Sequence, residues 1–452
     1  MSIIRNNNQT VRRTAAVHNL GCKVNAYESE AMERMLQDAG YELVPFSMKA
    51  DVYVVNTCTV TNMADRKSRQ MLHRARHTNP DALIVAVGCY VQTHEEQVLA
   101  DQDIDLAIGT NEKSKLIDLI EARLGSSRTG EQQERASVSD ISRRADYEML
   151  PEHLPQERCR AFLKIQDGCD QFCSYCAIPL ARGRIRSREP GDIIKEAEML
   201  AEAGFKEIVL TGIHLCSYGR GLLKDESASK KDSHMEVLLQ LIRRLADVRG
   251  ISRIRLGSLE PGSMTEENIR ELSLIPEVCP HFHLSLQSGC DTTLTRMNRH
   301  YTTEEFEHVC DLLRLYYDEP TLTTDVIVGF PGESEEEFEQ TRSFLERIQF
   351  YHTHLFKYSR RDGTRAAVMP DQVPEAVKTA RSRQLEQLNR QMKEMYRKQL
   401  EGKRAEVLIE ENEGGMWTGH TAGYLKAEVN SPKAVYNELF TGIIGKEIRI
   451  ID

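Results

Sequence analysis

The chain has 452 residues, a formal charge of −10, eleven cysteines and one tryptophan. That length predicts two or three domains, and no apolar run is long enough to cross a bilayer, so no membrane partner is expected. The acidic balance argues against a broadly basic surface, and any polyanionic partner is expected to be held by local patches.

Residues 1–8 lack the apolar core of a secretion signal, so the expected location is the cytoplasm, where thiols stay reduced. Clustered cysteines there mean metal or catalysis rather than disulfides. The first quarter of the chain repeats one pattern. Short apolar runs at 14–21, 51–57 and 82–88 each end on a cysteine, namely Cys22, Cys58 and Cys89. The later two runs are rich in Val and Ile, as buried parallel strands are. Helical composition fills 27–39 and 65–76, and a strand at 104–109 precedes a helix at 112–124. This predicts a Rossmann-like β-α-β-α-β domain with helices packed on a parallel sheet. Ligands gather beyond the carboxyl ends of strands in such sheets, so the three cysteines are expected to converge. Three unrelated packed thiols is the competing reading. Arg66, Lys67, Arg69, Arg74 and Arg76 make the second helix basic, either to touch nucleic-acid phosphates or as a solvated face.

Residues 125–158 are rich in Ser, Arg, Glu and Gln, and their first half is expected to be a linker. Strand candidates follow at 161–165, 207–211, 251–256, 281–286, 322–328 and 352–356. Helices at 192–203, 235–247, 266–273, 303–316 and 334–347 separate them. Six such units predict a partial TIM-like (β/α)6 barrel, open on one side, with its chemistry on loops after the strands. The loop after the first strand carries Cys169, Cys173 and Cys176 in a C-x3-C-x2-C run. Three thiolates in one loop hold three irons of a cubane and leave the fourth iron open to a small-molecule ligand. Structural zinc would need a fourth ligand and paired C-x2-C knuckles, which are missing nearby.

Arg182, Arg184, Arg186 and Arg188 come next, at alternate positions. An extended segment would set them on one side, facing phosphate or carboxylate groups or simply solvent. Gly212, Ser258, Glu260, Gln287 and Asp325 are expected at strand ends on the cysteine-loop face, as ligand contacts or in ordinary strand-end hydrogen bonding. The turn at 329–333 is expected to lead into a helix with an acidic first turn. Cys159, Cys216, Cys279, Cys290 and Cys310 are expected to be packed thiols. A charged helix at 376–400 precedes alternating strands at 404–410, 416–420, 425–429 and 447–451, with turns at Gly414 and Gly415 and at Gly423. These predict a small antiparallel β-barrel.

Tyr175 completes a C-x3-C-x-aromatic-C form that resembles the radical S-adenosylmethionine (SAM) enzymes. The segments around Cys22, Cys58 and Cys89, the cysteine loop, the run 284–289 and the run 325–333 together resemble the methylthiotransferase family. Gly21 to Asn25 and Cys58 to Asn62 are most similar to the branch acting on N6-threonylcarbamoyladenosine at position 37 of tRNA; the isopentenyladenosine and ribosomal-protein branches usually differ after Cys22. The resemblance implies a methylthiotransferase domain at 12–125, a linker at 126–154, a radical-SAM core at 155–386 and an RNA-binding TRAM domain at 387–452. It implies two [4Fe–4S] clusters, one on Cys22, Cys58 and Cys89 that carries the sulfur and one on Cys169, Cys173 and Cys176 that binds SAM. Tyr175, Gly212, Ser258, Glu260, Gln287 and Asp325 are the implied SAM contacts. The implied partners are a tRNA anticodon stem-loop, a flavodoxin- or ferredoxin-type electron donor and a sulfur source. Lys23 is expected to meet the threonylcarbamoyl carboxylate or offset cluster charge, or else to be a surface lysine. Arg182 and Arg184 are candidate SAM or RNA contacts. Six Lys/Arg against eight Asp/Glu over 402–452 leave RNA binding there to a local face or to stacking. Trp417 and Tyr424 either stack on bases or fill the barrel core.

Overall fold

The computed structural model describes residues 12–126, 135–143, 145–155, 159–222 and 231–451. They form two compact units. Unit 1 takes residues up to Ser142 with Glu148–His153 and Leu180–Arg182; unit 2 takes Arg143–Tyr147, Leu154–Pro179 and Gly183–Asp452.

Unit 1 is a six-stranded sheet in the order Glu42–Leu43, Thr14–Asn19, Val52–Thr57, Leu83–Gly88, Leu106–Ile108, Ala136–Ser137. Every pairing in it is parallel. The two central strands are buried along their full length because helices cover both faces. Val52 and Val54 meet Met32 and Leu36 of helix Lys23–Asp38 on one side. Tyr53 and Val55 meet Leu72 and Ala75 of helix Asn62–Thr78 on the other. The edge strand Ala136–Ser137 falls inside the stretch expected to be linker, whose residues 127–134 and 144 lie outside the described residues.

In unit 2, Arg160–Lys164, Glu207–Thr211 and Arg253–Leu256 form one parallel sheet, and His281–Gln287, Thr321–Val328 and His352–Lys357 form another. Parallel bridges Ile254 to Val278 and Leu259 to Leu284 join them, so six strands follow one another in chain order as a partial barrel. One large apolar cluster lies between strands and outer helices. Capping boxes at Thr302 with Glu305 and Ser334 with Glu337 start helices Thr303–Tyr316 and Glu335–Ile348, the second with the acidic first turn expected. Among the described residues no helix is long and apolar enough to cross a membrane.

The C-terminal sheet is antiparallel with five strands, Leu439–Ile443, Arg404–Glu413, Met416–Thr421, Lys426–Val429 and Ile448–Ile450. The first of these was not expected, because Leu439–Ile443 is half-buried and interrupted by Gly442 instead of alternating. The corner before Lys426 docks on the amino-terminal ends of the barrel strands. Arg253 bonds the Glu406 carboxylate at 2.9 Å, and Arg255 donates to the Ala422 carbonyl at 2.9 Å. Tyr424 lies under the guanidinium groups of Arg160 and Arg255, at 4.9 and 4.6 Å, and stacks on His420. Gly423 is needed for this approach, since a Cβ there would fall 2.5 Å from the Thr321 hydroxyl. Trp417 is half-buried against the core of the small sheet.

Arg255 also clamps Glu207 at 2.7 and 3.2 Å, both side chains fully buried. Burial pushes the Glu207 carboxyl up, but Arg255, Arg160 and Arg253 outweigh it and hold it below the usual carboxylate value. A depressed folded value gives stability that is present above the unfolded value of 4.5 and is lost as pH falls through the folded one. Arg255→Met therefore leaves a buried charge short of its partner, and a loss of about 3–5 kcal/mol is expected. Thermal unfolding should show a lower midpoint for Arg255→Met, partly restored by adding Glu207→Gln.

Candidate functional site

The register of unit 1 delivers its three cysteines to one end of the sheet. Asn19 pairs with Asn56 and Thr57 pairs with Gly88, so Cys22, Cys58 and Cys89 leave the carboxyl ends of three adjacent strands. Cys22 sits at the amino end of helix Lys23–Asp38, and Cys89 opens helix Cys89–Thr93. Gly21 has φ +113°, and a Cβ on it would lie 3.0 Å from Cys58 Sγ. Cys22 is exposed; Cys58 and Cys89 are buried.

Side-chain bonds tie the strand ends together. Asn25 Nδ2 donates to the carbonyls of Leu20 at 2.7 Å and Thr57 at 3.0 Å. The Thr57 hydroxyl donates to the Val87 carbonyl at 2.6 Å and accepts from the Tyr90 amide at 3.2 Å. Ser68 bonds both the amide and the carbonyl of Cys58. Burial pushes the Cys58 thiol up to about 12, with Cys89 and Cys22 adding to the rise. Sulfurs in this setting become thiolates readily only when a metal takes the proton's place.

In unit 2 the Cys169 loop is held from several strands. Gly168 has φ +71°, and a Cβ there would lie 1.9 Å from the Arg184 carbonyl oxygen. Ser174 donates from its amide to the Met297 carbonyl at 2.9 Å and from its hydroxyl to Arg296 at 2.8 Å. Asn298 donates to the carbonyl of Phe172 at 3.1 Å. Arg299 reaches Cys173 Sγ at 3.2 Å, the Glu260 carboxylate at 2.7 Å and the Ser285 carbonyl at 3.2 Å. Burial raises Glu260, but His214 and Arg299 together bring it below the usual carboxylate value. Burial also pushes Cys169 and Cys176 up to about 12.

Among the described residues, the group of metal-ligating atoms that lies within 4.8 Å of one another is His73, Asp101 and Asp103 on the surface of unit 1, and neither cysteine trio is gathered so closely. Tetrahedral zinc with sulfurs at about 2.3 Å would need them about 3.8 Å apart. A cubane, which spreads its ligands over several irons, suits the wider spacing.

The other expected residues divide. Gly212 follows strand Glu207–Thr211 and packs on Gln166, where a Cβ would come 2.9 Å from Oε1. Ser258 is exposed just beyond strand Arg253–Leu256. Gln287 ends its strand with φ +70°. Tyr175 is half-buried, edge-on to Phe330. Asp325 is not at a strand end; it lies within Thr321–Val328, its Oδ2 3.1 Å from His283 Nε2. Lys23 is the first helical residue and is half-buried.

The four arginines do not share a face. Arg182 ends helix Ile178–Arg182 and is buried against Glu28 and Asn25 in unit 1. Arg186 and Arg188 are buried, beside Asp167 and Glu196 respectively. Arg184 alone of the four is substantially exposed, its guanidinium 4.7 Å from the Phe172 ring centre. Tyr424 is taken up by the docking corner described above. Sequence reasoning missed Arg299 and Asn298, because they reach the loop from just beyond helix Asp291–Arg296 and carry no local spacing signal. It also missed Glu28, which sits inside an unremarkable helix.

A model described as an uncharacterized protein family, UPF0004, matches residues 14–109, and the Radical SAM superfamily matches residues 163–345. The chain is 42% identical over 418 residues to the threonylcarbamoyladenosine tRNA methylthiotransferase MtaB of Bacillus subtilis, covering 91% of this chain and 89% of that one. It is 38% identical to the Aquifex aeolicus protein of the same name, covering 88% and 93%. A tRNA-2-methylthio-N(6)-dimethylallyladenosine synthase from a Thermoanaerobacter species is 37% identical, covering 87% and 81%. Among solved structures, the radical S-adenosylmethionine methyltransferase TsrM of Kitasatospora setae superposes with a TM-score of 0.57 at 17% identity, over 79% of this chain and 74% of that one, a likeness of fold. With the Radical SAM match come a [4Fe–4S] cluster and SAM. The chain belongs to the radical-SAM tRNA methylthiotransferase family.

Proposed function

We propose that the chain converts N6-threonylcarbamoyladenosine at position 37 of tRNA to its 2-methylthio derivative. The observation that carries this reading is the 42% identity, over nine-tenths of the chain, to a relative named for threonylcarbamoyladenosine. Relatives named for dimethylallyladenosine reach 37% and keep that adenosine as the second reading.

In this reading the chain divides at 12–125, 126–154, 155–386 and 387–452, and two clusters are held, one by each cysteine trio. The C2–H bond of adenine is neither acidic nor polarised, so a general base has little to act on. The chemistry a cluster on Cys169, Cys173 and Cys176 supplies when bound is one-electron cleavage of SAM to methionine and a 5′-deoxyadenosyl radical able to take that hydrogen atom. The chain's own part is placement and exclusion of water. Gly168 and Asn298 shape the loop. Arg299 donates to the Cys173 sulfur, a contact of the kind that tunes cluster potential. Tyr175, Gly212, Ser258, Glu260, Gln287 and Asp325 are the SAM contacts proposed. Cys22, Cys58 and Cys89 hold the sulfur-carrying cluster, with Lys23 beside it to meet the threonylcarbamoyl carboxylate. Arg184, exposed over Phe172, is the arginine we place at the RNA, and the half-buried Trp417 offers a stacking surface. The electron donor is expected to be of flavodoxin or ferredoxin type, and a separate sulfur source is required.

Nucleoside mass spectrometry of a deletion strain tests the substrate. Loss of the 2-methylthio derivative with accumulation of threonylcarbamoyladenosine is expected; loss of 2-methylthio-isopentenyladenosine instead would move the assignment to the second reading. Cys58→Ala should abolish methylthio product yet keep SAM cleavage to 5′-deoxyadenosine, whereas Cys173→Ala should abolish both. Gly168→Ala should cut 5′-deoxyadenosine release at least about tenfold, since left-handed strain alone costs about 1–3 kcal/mol before the clash with Arg184. Lys23→Met, assayed on tRNA with and without the threonylcarbamoyl group, should lose part of its preference; an unchanged preference removes Lys23 from recognition.

A further inference from the structure

Leu180–Arg182 lie only a few residues after Cys176, yet they pack as part of unit 1. The Thr110 hydroxyl fixes this segment by donating to the Ala181 carbonyl at 2.8 Å. Arg182 is fully buried there. Its Nη1 and Nη2 grip the two oxygens of Glu28 at 2.9 and 3.0 Å, and Nη2 also donates to Asn25 Oδ1 at 2.5 Å. Lys113, equally buried, stands 3.5 Å from Glu28 and 3.9 Å from Glu148.

A guanidinium has only donors, so the atom of Asn25 facing it must be the carbonyl oxygen. That choice turns Asn25 Nδ2 toward Leu20 and Thr57, the carbonyls that lead into Cys22 and Cys58. Cys22 Sγ itself lies 3.9 Å from Asn25 Oδ1. Arg182 therefore acts on the cysteine geometry through one amide. It acts on charge as well. A doubly positive cubane core with three thiolates is singly negative, and reduction adds another negative charge. Without Arg182, the carboxylate of Glu28 would keep only Lys113, at 3.5 Å, against its charge in the same buried region.

We propose that Arg182 is the positioning residue of the Cys22, Cys58 and Cys89 site: it locks Asn25 across two strand ends and offsets the negative charge of the cluster held there. The proposal rests on the two-cluster reading above. It takes Arg182 out of RNA contact and gives it a part in setting how easily the cluster is reduced.

The test uses the full chain, reconstituted with iron and sulfide, in a Cys173→Ala background so that one trio remains. Iron content and an EPR-monitored redox titration are compared for Arg182, Arg182→Lys, Arg182→Met, and Arg182→Met with Glu28→Gln. At the potential that half-reduces the parent cluster, Arg182→Met should lower the reduced-to-oxidised ratio at least about tenfold, equivalent to about 59 mV for one electron. Removing the Glu28 charge as well should restore most of it and guards against a variant that simply fails to fold. Arg182→Lys should keep the ratio but alter the EPR line shape, because an ammonium cannot hold the fork on Glu28 while fixing Asn25. Loss of iron from Arg182→Met alone also supports the placing role. An unchanged ratio and line shape in iron-loaded Arg182→Met would overturn the proposal by itself. A parent Cys173→Ala protein that takes up no cluster would overturn the two-cluster reading, and this inference with it.

Discussion

The interaction on which unit 1 depends is the amide of Asn25. Three parallel strands bring three cysteines to one edge, but strand ends fray, and the register alone fixes Cys22 only to within a loop of two residues beyond Asn19. Asn25 closes that gap by bonding the carbonyls of Leu20 and Thr57 at once. Thr57 passes the same constraint on to the third strand through Val87 and Tyr90. A network in which every member is satisfied specifies geometry more sharply than apolar packing does. The trio is thus placed by side-chain hydrogen bonds across the strand ends.

The Cys169 loop solves the same problem differently. Its three thiols are close in sequence, so little chain entropy is lost in gathering them. What must be supplied is a fixed loop conformation. Gly168 gives the turn its positive φ, and Asp167 closes it by accepting from the Gly168 amide at 2.8 Å and from Lys164 at 2.7 Å. Met297, Asn298 and Arg299, directly after the short helix Asp291–Arg296 that follows the fourth barrel strand, then pin its far side. One site is local in sequence and braced from afar; the other is scattered in sequence and braced from within.

This difference explains what could be read before the structure. Period and composition locate the longer strands and helices, because Val52–Thr57 and Leu83–Gly88 are buried on both faces and the barrel strands repeat at regular intervals, whereas short elements such as Cys89–Thr93, Ile178–Arg182 and Asp291–Arg296 show no such pattern. The two cysteine trios stand out for separate reasons, one by spacing and one by three similar strand endings. Residues that brace them from other elements left no such mark. Arg299 and Glu28 differ from dozens of charged neighbours only by what they touch. The alternation of Arg182 to Arg188 suggested an extended segment, but helix Ile178–Arg182 breaks it and sends each guanidinium to a different carboxylate. Strand Leu439–Ile443 escaped notice because a half-buried edge strand interrupted by Gly442 shows neither period.

The arginines also bear on how an acidic chain meets RNA. Arg182, Arg186, Arg188, Arg253 and Arg255 are buried, the side chain of Arg299 is nearly so, and all six are joined to carboxylates or sulfur. Buried pairs of this kind add little net stability, since desolvation cancels most of the attraction; what they contribute is direction. Arg253 and Arg255 fix the small sheet on the amino-terminal edge of the barrel, the edge opposite the Cys169 loop, and they take Tyr424 into that joint. Tyr424 is therefore not a stacking surface near the chemistry, and neither are these six arginines a phosphate-binding surface. Among the many surface cations of the described residues, Arg184 and Arg220 stand about Asp170 beside the loop, and Arg66, Lys67 and Arg74 lie on helix Asn62–Thr78. A net charge of −10 does not preclude a polyanionic substrate, since local patches of this kind can meet one.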